Sequence, residues 1–233
     1  MTAVPTENGG VSRRPVQSPA DRRDRPAYDR DSLLEVAVAA FNERGYDGTG
    51  MEELARHLGL SKSSIYHHVS GKAELLDLAV NRALDALFAA LDEDPGPSGT
   101  ATARLRHVVR RSVEVLAAEL PYVTLLLRIH GNSDVERRAL ERRREFDHRV
   151  AGLVTRAAAE GGVRDDIDPH LASRLLFGTV NSLIEWYRPE GDLPVDTLAD
   201  TLTTVLFDGL AGRPASRSGP SAHADTPGGP GPH

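Results

Sequence analysis

The stretch SKSSIYHHVS, residues 61–70, gathers side chains that can bind anions and base edges. Ile65 and Val69 lie four apart and so share one face of a helix. Lys62, Ser63, Tyr66 and His67 then fall on the other side. That outer face carries an ammonium, a hydroxyl, a phenol and an imidazole, and no carboxylate. Each of these groups can donate to a phosphate oxygen or a base edge. Ser61 reads as the N-cap of this helix, with Ser64 inside its first turn. Ser70 reads as the cap of the next helix, and Lys72 falls in that helix's first turn. Exposed amides there favour an anion, whereas the helix dipole disfavours a lysine. A bound phosphate reconciles the two. The bland alternative is a short, capped helix whose polar face is simply solvated.

The elements before it must hold this face outward. Thr49 and Glu52 have capping-box spacing. Met51, Leu54, Ala55 and Leu58 follow at i, i+3, i+4 and i+7, which gives one apolar face. Gly59 can end the helix in the left-handed conformation. Helix, glycine turn and second helix make a helix-turn-helix. A preceding helix over about Arg30 to Arg44, with Leu33, Leu34, Ala37, Ala40 and Phe41 inward, completes a three-helix unit.

Leu33 to Leu76 resembles the DNA-binding domain of the TetR family of transcriptional repressors. The residues that carry this are AFNERGYDGT, the Met51 to Leu58 helix, and GLSKSSIYHHVSGKAELL. Two departures stand out. Gly50 occupies a place where a second hydroxyl is frequent, and Val69 one where phenylalanine is frequent. Val69 still fills a core position, so slight repacking is expected. The resemblance implies an all-α fold: an N-terminal three-helix helix-turn-helix domain and a larger C-terminal helical ligand-binding and dimerisation domain. It implies double-stranded operator DNA as a partner. Thr49, Ser61, Lys62, Ser63, Ser64, Tyr66, His67 and Lys72 are the candidate DNA contacts, Thr49 and Lys72 as phosphate holders.

Composition sets bounds. There is no cysteine, so disulfides and thiolate zinc sites are excluded. No apolar run approaches the roughly 20 residues of a membrane span, and no signal-peptide stretch opens the chain. A cytoplasmic protein without a membrane partner is expected. The formal net charge is −6, and residues 27–77 hold five Lys or Arg against nine Asp or Glu. DNA affinity must then rest on a few placed donors rather than on a broad basic field. Arg13, Arg14, Arg22, Arg23 and Arg25 partly compensate from a Pro/Ser/Gly-rich arm. Such an arm can enter a minor groove, or it can be merely solvated.

The expected organisation is a disordered arm over 1–27, a DNA-binding domain over 28–76, a ligand-binding and dimerisation domain over 77–211, and a disordered tail over 212–233. A fourth helix spans about Lys72 to Leu91, and EDPGPSGT, residues 93–100, breaks the chain after it. Helices follow over about Ala101 to Ala118, Tyr122 to His130, Ser133 to Glu160, Asp168 to Tyr187 and Val195 to Leu210. Pro121 divides the first two. Ser133 with Glu136 forms a capping box, and Asp168-Pro169 is a cap followed by proline at the first helical position. The Asp168 to Tyr187 helix is apolar around most of its circumference and must be buried on more than one side. With the last helix it offers a two-fold, four-helix dimer interface. The resemblance implies the same homodimer. Two recognition helices about 34–36 Å apart would read a palindrome.

The stretch LLFGTVNSLIEWYRPEG, residues 175–191, resembles the C-terminal domains of TetR-family members that respond to acyl-CoA thioesters. The resemblance implies a small-molecule effector, and the candidate ligand contacts are Arg128, His130, Phe177, Asn181 and Trp186. Asn181 is a polar group on a largely apolar helix. It needs a partner if buried, which a ligand, a neighbouring helix or the dimer mate could supply. Arg142, Arg143 and Arg144 suit CoA phosphates or a solvated face paired with Glu141 and Glu145. His67 and His68 are adjacent and cannot form an i, i+4 metal pair. No phosphate-loop, dinucleotide or nucleophile-elbow pattern is present. No catalytic residue, metal or cofactor is expected. A repressor of an efflux system that senses drug-like molecules is the alternative, and an apolar pocket without phosphate-binding arginines would favour it.

Overall fold

The computed structural model describes residues 29–93 and 99–210. The two tails and their arginines lie outside the described residues, as does the side chain of Lys62. Among the described residues there are ten helical segments and no strand. The all-α expectation holds.

The segments are α1 (Arg30–Arg44), α2 (Met51–His57), α3 (Lys62–Ile65), α4 (Lys72–Asp92) and α5 (Ala101–Ala118), followed by α6 (Leu120–Arg128), α7 (Asp134–Ala159), α8 (Pro169–Asn181), α9 (Leu183–Trp186) and α10 (Val195–Asp208). Packing divides them into two units. One gathers the described residues up to Arg82 together with Pro121–Ala139. The other gathers Ala83–Leu120 and the described residues from Leu140 onward. This differs from a single cut after residue 76. The reason is that α6 and the start of α7 pack with the N-terminal helices, so the first unit is built from two stretches of chain.

In the first unit, Asp29 caps α1 by accepting the Ser32 amide at 2.9 Å. Leu33, Leu34, Ala37, Val38, Ala40 and Phe41 are buried along one side of it. The Asn42 amide Nδ2 donates to the Pro121 carbonyl at 2.8 Å and ties α1 to the start of α6. The capping box at α7 is formed as its spacing predicts. The Ser133 amide donates to Glu136 Oε2 at 2.8 Å, and the Glu136 amide donates to Ser133 Oγ at 3.2 Å.

In the second unit, Leu105, Val108, Phe146, Val150, Leu153 and Phe177 share one buried cluster. Phe146 meets Phe88 and Phe177 edge-on, with centroids 5.7 and 5.1 Å apart. Arg110 pairs with Asp196 and Asp200, and Arg106 with Asp208, which straps α5 to α10. The cap at Asp168 is present and accepts the Leu171 amide at 2.9 Å.

The single helix predicted from Asp168 to Tyr187 is two, α8 and α9, broken at Ser182. Thr179 Oγ1 donates to the Leu175 carbonyl at 2.9 Å, and Ser182 Oγ to the Thr179 carbonyl at 2.7 Å. Hydroxyls that bond back onto the preceding turn compete with the helical ladder and bend it.

Replacing Ser133 by alanine removes the cap acceptor at α7. It is expected to destabilise the protein by about 1 kcal/mol in urea unfolding, whereas Ser133→Thr retains most of the stability.

Candidate nucleic-acid interface and ligand cavity

The recognition segment is held by its neighbours. Gly59 has φ +62°, a value that favours glycine. The Leu60 amide donates to the Ala55 carbonyl at 2.9 Å and the Gly59 amide to the Arg56 carbonyl at 3.1 Å. This is a Schellman ending, and it turns the chain directly into α3. Ser61 Oγ accepts the Ser64 amide at 3.1 Å, the cap that the sequence predicts. Ile65 and Val69 are 0% and 3% exposed, against Leu54 at 0%.

That burial aims the other side of α3 at solvent. Ser61, Ser63 and His67 are exposed, and Ser64 is half-buried. Tyr66 keeps 46% of its surface open, which is unusual for so large a ring. Ser61 and Ser63 hydroxyls share a 3.0 Å hydrogen bond. Hydroxyls, a phenol and an imidazole therefore face outward together, next to the α3 amides.

Thr49 requires a correction. It is 2% exposed, and its hydroxyl donates to the carbonyls of Gly45 at 2.9 Å and Ala40 at 3.3 Å. It is not the cap of α2, and its hydroxyl is satisfied within the unit. Gly50 holds the N-cap place, without a side-chain cap bond. The hydroxyl is better satisfied by the carbonyls at the end of α1 than by the start of α2.

Lys72 is bound inside the unit. Its Nζ donates to the Tyr46 carbonyl at 2.8 Å and lies 4.2 Å from the Tyr46 ring centroid. An ammonium has three donors, so two remain. Ser70 donates with both its amide and its hydroxyl, at 2.6 and 2.7 Å, to Glu74 Oε2. Those bonds, the amide first, and then the Arg30 guanidinium, hold the Glu74 carboxyl below its ordinary range.

The five candidate ligand residues fall in both units. Arg128 and His130 are exposed in the first unit, beside a small cavity there. Phe177 is buried in the aromatic cluster of the second unit. Asn181 is half-buried, and Trp186 is 54% exposed. Of the three arginines on α7, Arg142 pairs with Asp85 at 2.7 Å. Arg143 is largely desolvated, which pushes its guanidinium pKa down, with Asp147 opposing.

The second unit contains a cavity of about 680 Å³ that sequence reading did not locate. Leu105, Val154, Ala172, Leu176, Leu206 and Phe207 supply most of its apolar wall, and Gly161 to Arg164 close one side. It lies within the range of ligand pockets, roughly 300–1,000 Å³. Arg164 is its one guanidinium, and Asp166 already engages it at 2.6 and 2.5 Å. The Gly-Gly pair was legible only as a helix stop. What makes it a wall is a close approach: a Cβ on Gly162 would lie 1.9 Å from Thr102 Oγ1.

Comparison with known proteins divides the sequence into a shorter N-terminal and a longer C-terminal part. Residues 33–79 match the family described as bacterial regulatory proteins, tetR family, and residues 98–210 match a tetracyclin repressor-like C-terminal domain. The HTH-type transcriptional repressor KstR2 of Rhodococcus jostii is 31% identical over 196 residues, covering 83% of this chain and 96% of that protein. The crystal structure of SCO3833, a TetR transcriptional regulator family member from Streptomyces coelicolor, is 59% identical. It has a TM-score of 0.74 and coverage of 80% and 94%. AibR, solved with isovaleryl coenzyme A and operator DNA, is 23% identical with a TM-score of 0.65 over 76% and 97% of the two chains. At that identity the likeness is one of fold. With the recognition unit and the helical remainder both matched, and relatives aligned over nearly their whole length, the chain belongs to the TetR family of transcriptional regulators.

Proposed function

We propose that this protein is a homodimeric repressor that binds a palindromic operator and is released by an acyl-CoA thioester. The observation that carries the DNA reading is the outward side of α3 and the turn after it, where Ser61, Ser63, Tyr66 and His67 stand exposed on a buried Ile65–Val69 anchor. Lys62 and Ser64 complete the proposed contacts, and Lys72 adds a phosphate through its free N–H groups. The repressor assignment draws on KstR2, a transcriptional repressor by name.

The dimer reading is supported by apolar surface left open in one protomer. Leu171, Leu175 and Trp186 are 51%, 60% and 54% exposed along α8 and α9, and Val205 on α10 is 36% exposed. A second copy covers such a face by two-fold packing, in keeping with the dimeric habit of the family. No helix among the described residues is long and apolar enough to cross a membrane.

The effector reading rests on the 680 Å³ cavity, whose wall suits an acyl chain. The motif in residues 175–191 and the isovaleryl coenzyme A complex of a protein with the same fold point the same way. One observation favours a second reading. Among the described residues the cavity's one guanidinium is already paired to Asp166, so that wall offers little for CoA phosphates. A neutral, drug-like effector of an efflux repressor fits such a wall equally well.

Binding to the DNA upstream of the protein's own gene, titrated with acyl-CoA esters and their free acids, separates these readings. Release by one thioester and not by its acid supports the first. Release by uncharged hydrophobes alone supports the second, and no DNA binding at all overturns both. Lys62→Ala is expected to weaken operator binding and reduce the slope of log affinity against log salt by about one unit. Ala172→Phe, which fills the cavity, is expected to abolish effector release while leaving operator affinity unchanged. Leu171→Glu combined with Val205→Glu is expected to give a monomer in light scattering.

A further inference from the structure

The first unit holds a smaller cavity of about 290 Å³ whose chemistry is unlike the larger one. It lies where the end of α1, the α1–α2 loop and the α6–α7 loop converge. Its buried lining includes Phe41, Leu125 and Ile129, and among these apolar groups stand two acceptors.

The first acceptor is Asn42 Oδ1, which is buried with no hydrogen-bond partner. Its orientation is fixed, because Nδ2 of the same amide is held by the Pro121 carbonyl at 2.8 Å. The second is Glu136, 6% exposed. The two hydrogen bonds its carboxylate accepts, from the Ser133 amide at 2.8 Å and hydroxyl at 3.3 Å, both fall on Oε2. Among the described residues no ion pair meets Glu136. A buried amide oxygen without a donor is costly, and so is a buried carboxylate without a cation.

The charges at the rim leave that role vacant. Arg44 is engaged by Glu53. Arg128 is exposed and reaches only the Asn42 backbone carbonyl, at 3.4 Å. Asp47 adds a second carboxylate. Phe41 and Tyr46 stand edge-on at 5.4 Å and offer ring surface, which attracts cations. Buried acceptors, aromatic walls and a carboxylate in a small volume are the recognition chemistry of an organic ammonium ion.

We propose that this cavity is a second small-molecule site, independent of the larger one, that takes a small ammonium compound. The ammonium meets Glu136 at Oε1, the oxygen that the Ser133 cap leaves unused, and a carboxylate on the same molecule, where there is one, meets Arg128 at the rim. The occupant also sits against Tyr46, the residue whose carbonyl and ring hold the Lys72 ammonium.

The test is isothermal titration of the full chain, without DNA, using n-butylamine, 1,4-diaminobutane and lysine, with 1-butanol as the uncharged control. Binding of at least one amine below about 10 mM, with no heat from 1-butanol, is the expected result. Glu136→Gln keeps an acceptor for the Ser133 cap but removes the charge, and is expected to weaken that binding at least about tenfold. Asn132→Trp, at the exposed rim, is expected to block it without disturbing the core. Lysine binding alone, lost in Arg128→Ala, narrows the class to amino acids and sustains the proposal. Equal binding of 1-butanol, amine binding unchanged in both Glu136→Gln and Asn132→Trp, or no binding of any amine each overturns it. None of these outcomes depends on operator binding.

Discussion

A helix of four residues cannot hold itself. One turn fixes several dihedrals for very few hydrogen bonds, and short helices in water are marginal even in favourable sequences. α3 is such a helix, so its existence is a tertiary fact. Ile65 is fully buried and Val69 nearly so, packed within a unit that also buries Leu54 and Leu58. The Schellman turn at Gly59 and the Ser61 cap set its start to within a residue. α3 is one turn where the sequence suggested about two, and the outward side is continued by the turn in which the His67 and His68 amides donate to the Ser64 and Ile65 carbonyls. The DNA-binding proposal depends on that one constraint.

The second unit solves a different problem. Its long helices bury an aromatic and aliphatic cluster, yet they leave a cavity between α5, the end of α7, α8 and α10. The end of α7 helps to make the wall. Glu160 accepts the Ala101 amide at 2.7 Å, and Gly162 passes so close to Thr102 that no side chain fits there. This draws the Gly161 to Arg164 turn over the start of α5. The ion pairs of Arg106 and Arg110 to α10 fix the other side. These exposed pairs contribute modestly to stability, and they set which face of α10 meets α5.

Much of this was legible in the sequence where one local rule acted alone. α5 has the expected bounds, and the caps at Ser61, Ser133 and Asp168 are in place, because each is decided within a few residues. Reading failed where a distant group competed. Thr49 has a capping pattern, but carbonyls at the end of α1 claim its hydroxyl. Lys72 keeps the position of a proposed phosphate ligand, and its second role, an ammonium held by the carbonyl and ring of Tyr46, 26 residues away, has no local signal. The break at Ser182 is itself local, and the apolar run around it masked two hydroxyls placed to bend a helix. Neither cavity has a sequence signature, since each is lined by residues from several separate stretches.

The charge pattern then explains why the recognition face has to be so polar with a single ammonium, that of Lys62, on it. Residues 27–77 contain only five Lys or Arg. Arg30 is engaged by Glu74, Arg44 by Glu53, and Lys72 by Tyr46. Two of the five cations are thus paired within the unit, and a third, Lys72, is held there in part. Counterion release, which gives most sequence-blind affinity, scales with the number of phosphates neutralised. It must be small for a unit with so few free cations. Beyond the Lys62 ammonium, binding through α3 would come from hydroxyl, phenol, imidazole and amide donors, whose value depends on distance and angle. Such contacts reward only a site whose groove presents acceptors in the matching places. A face of that kind favours discrimination over affinity, and it suits a dimer in which two weak half-sites act together.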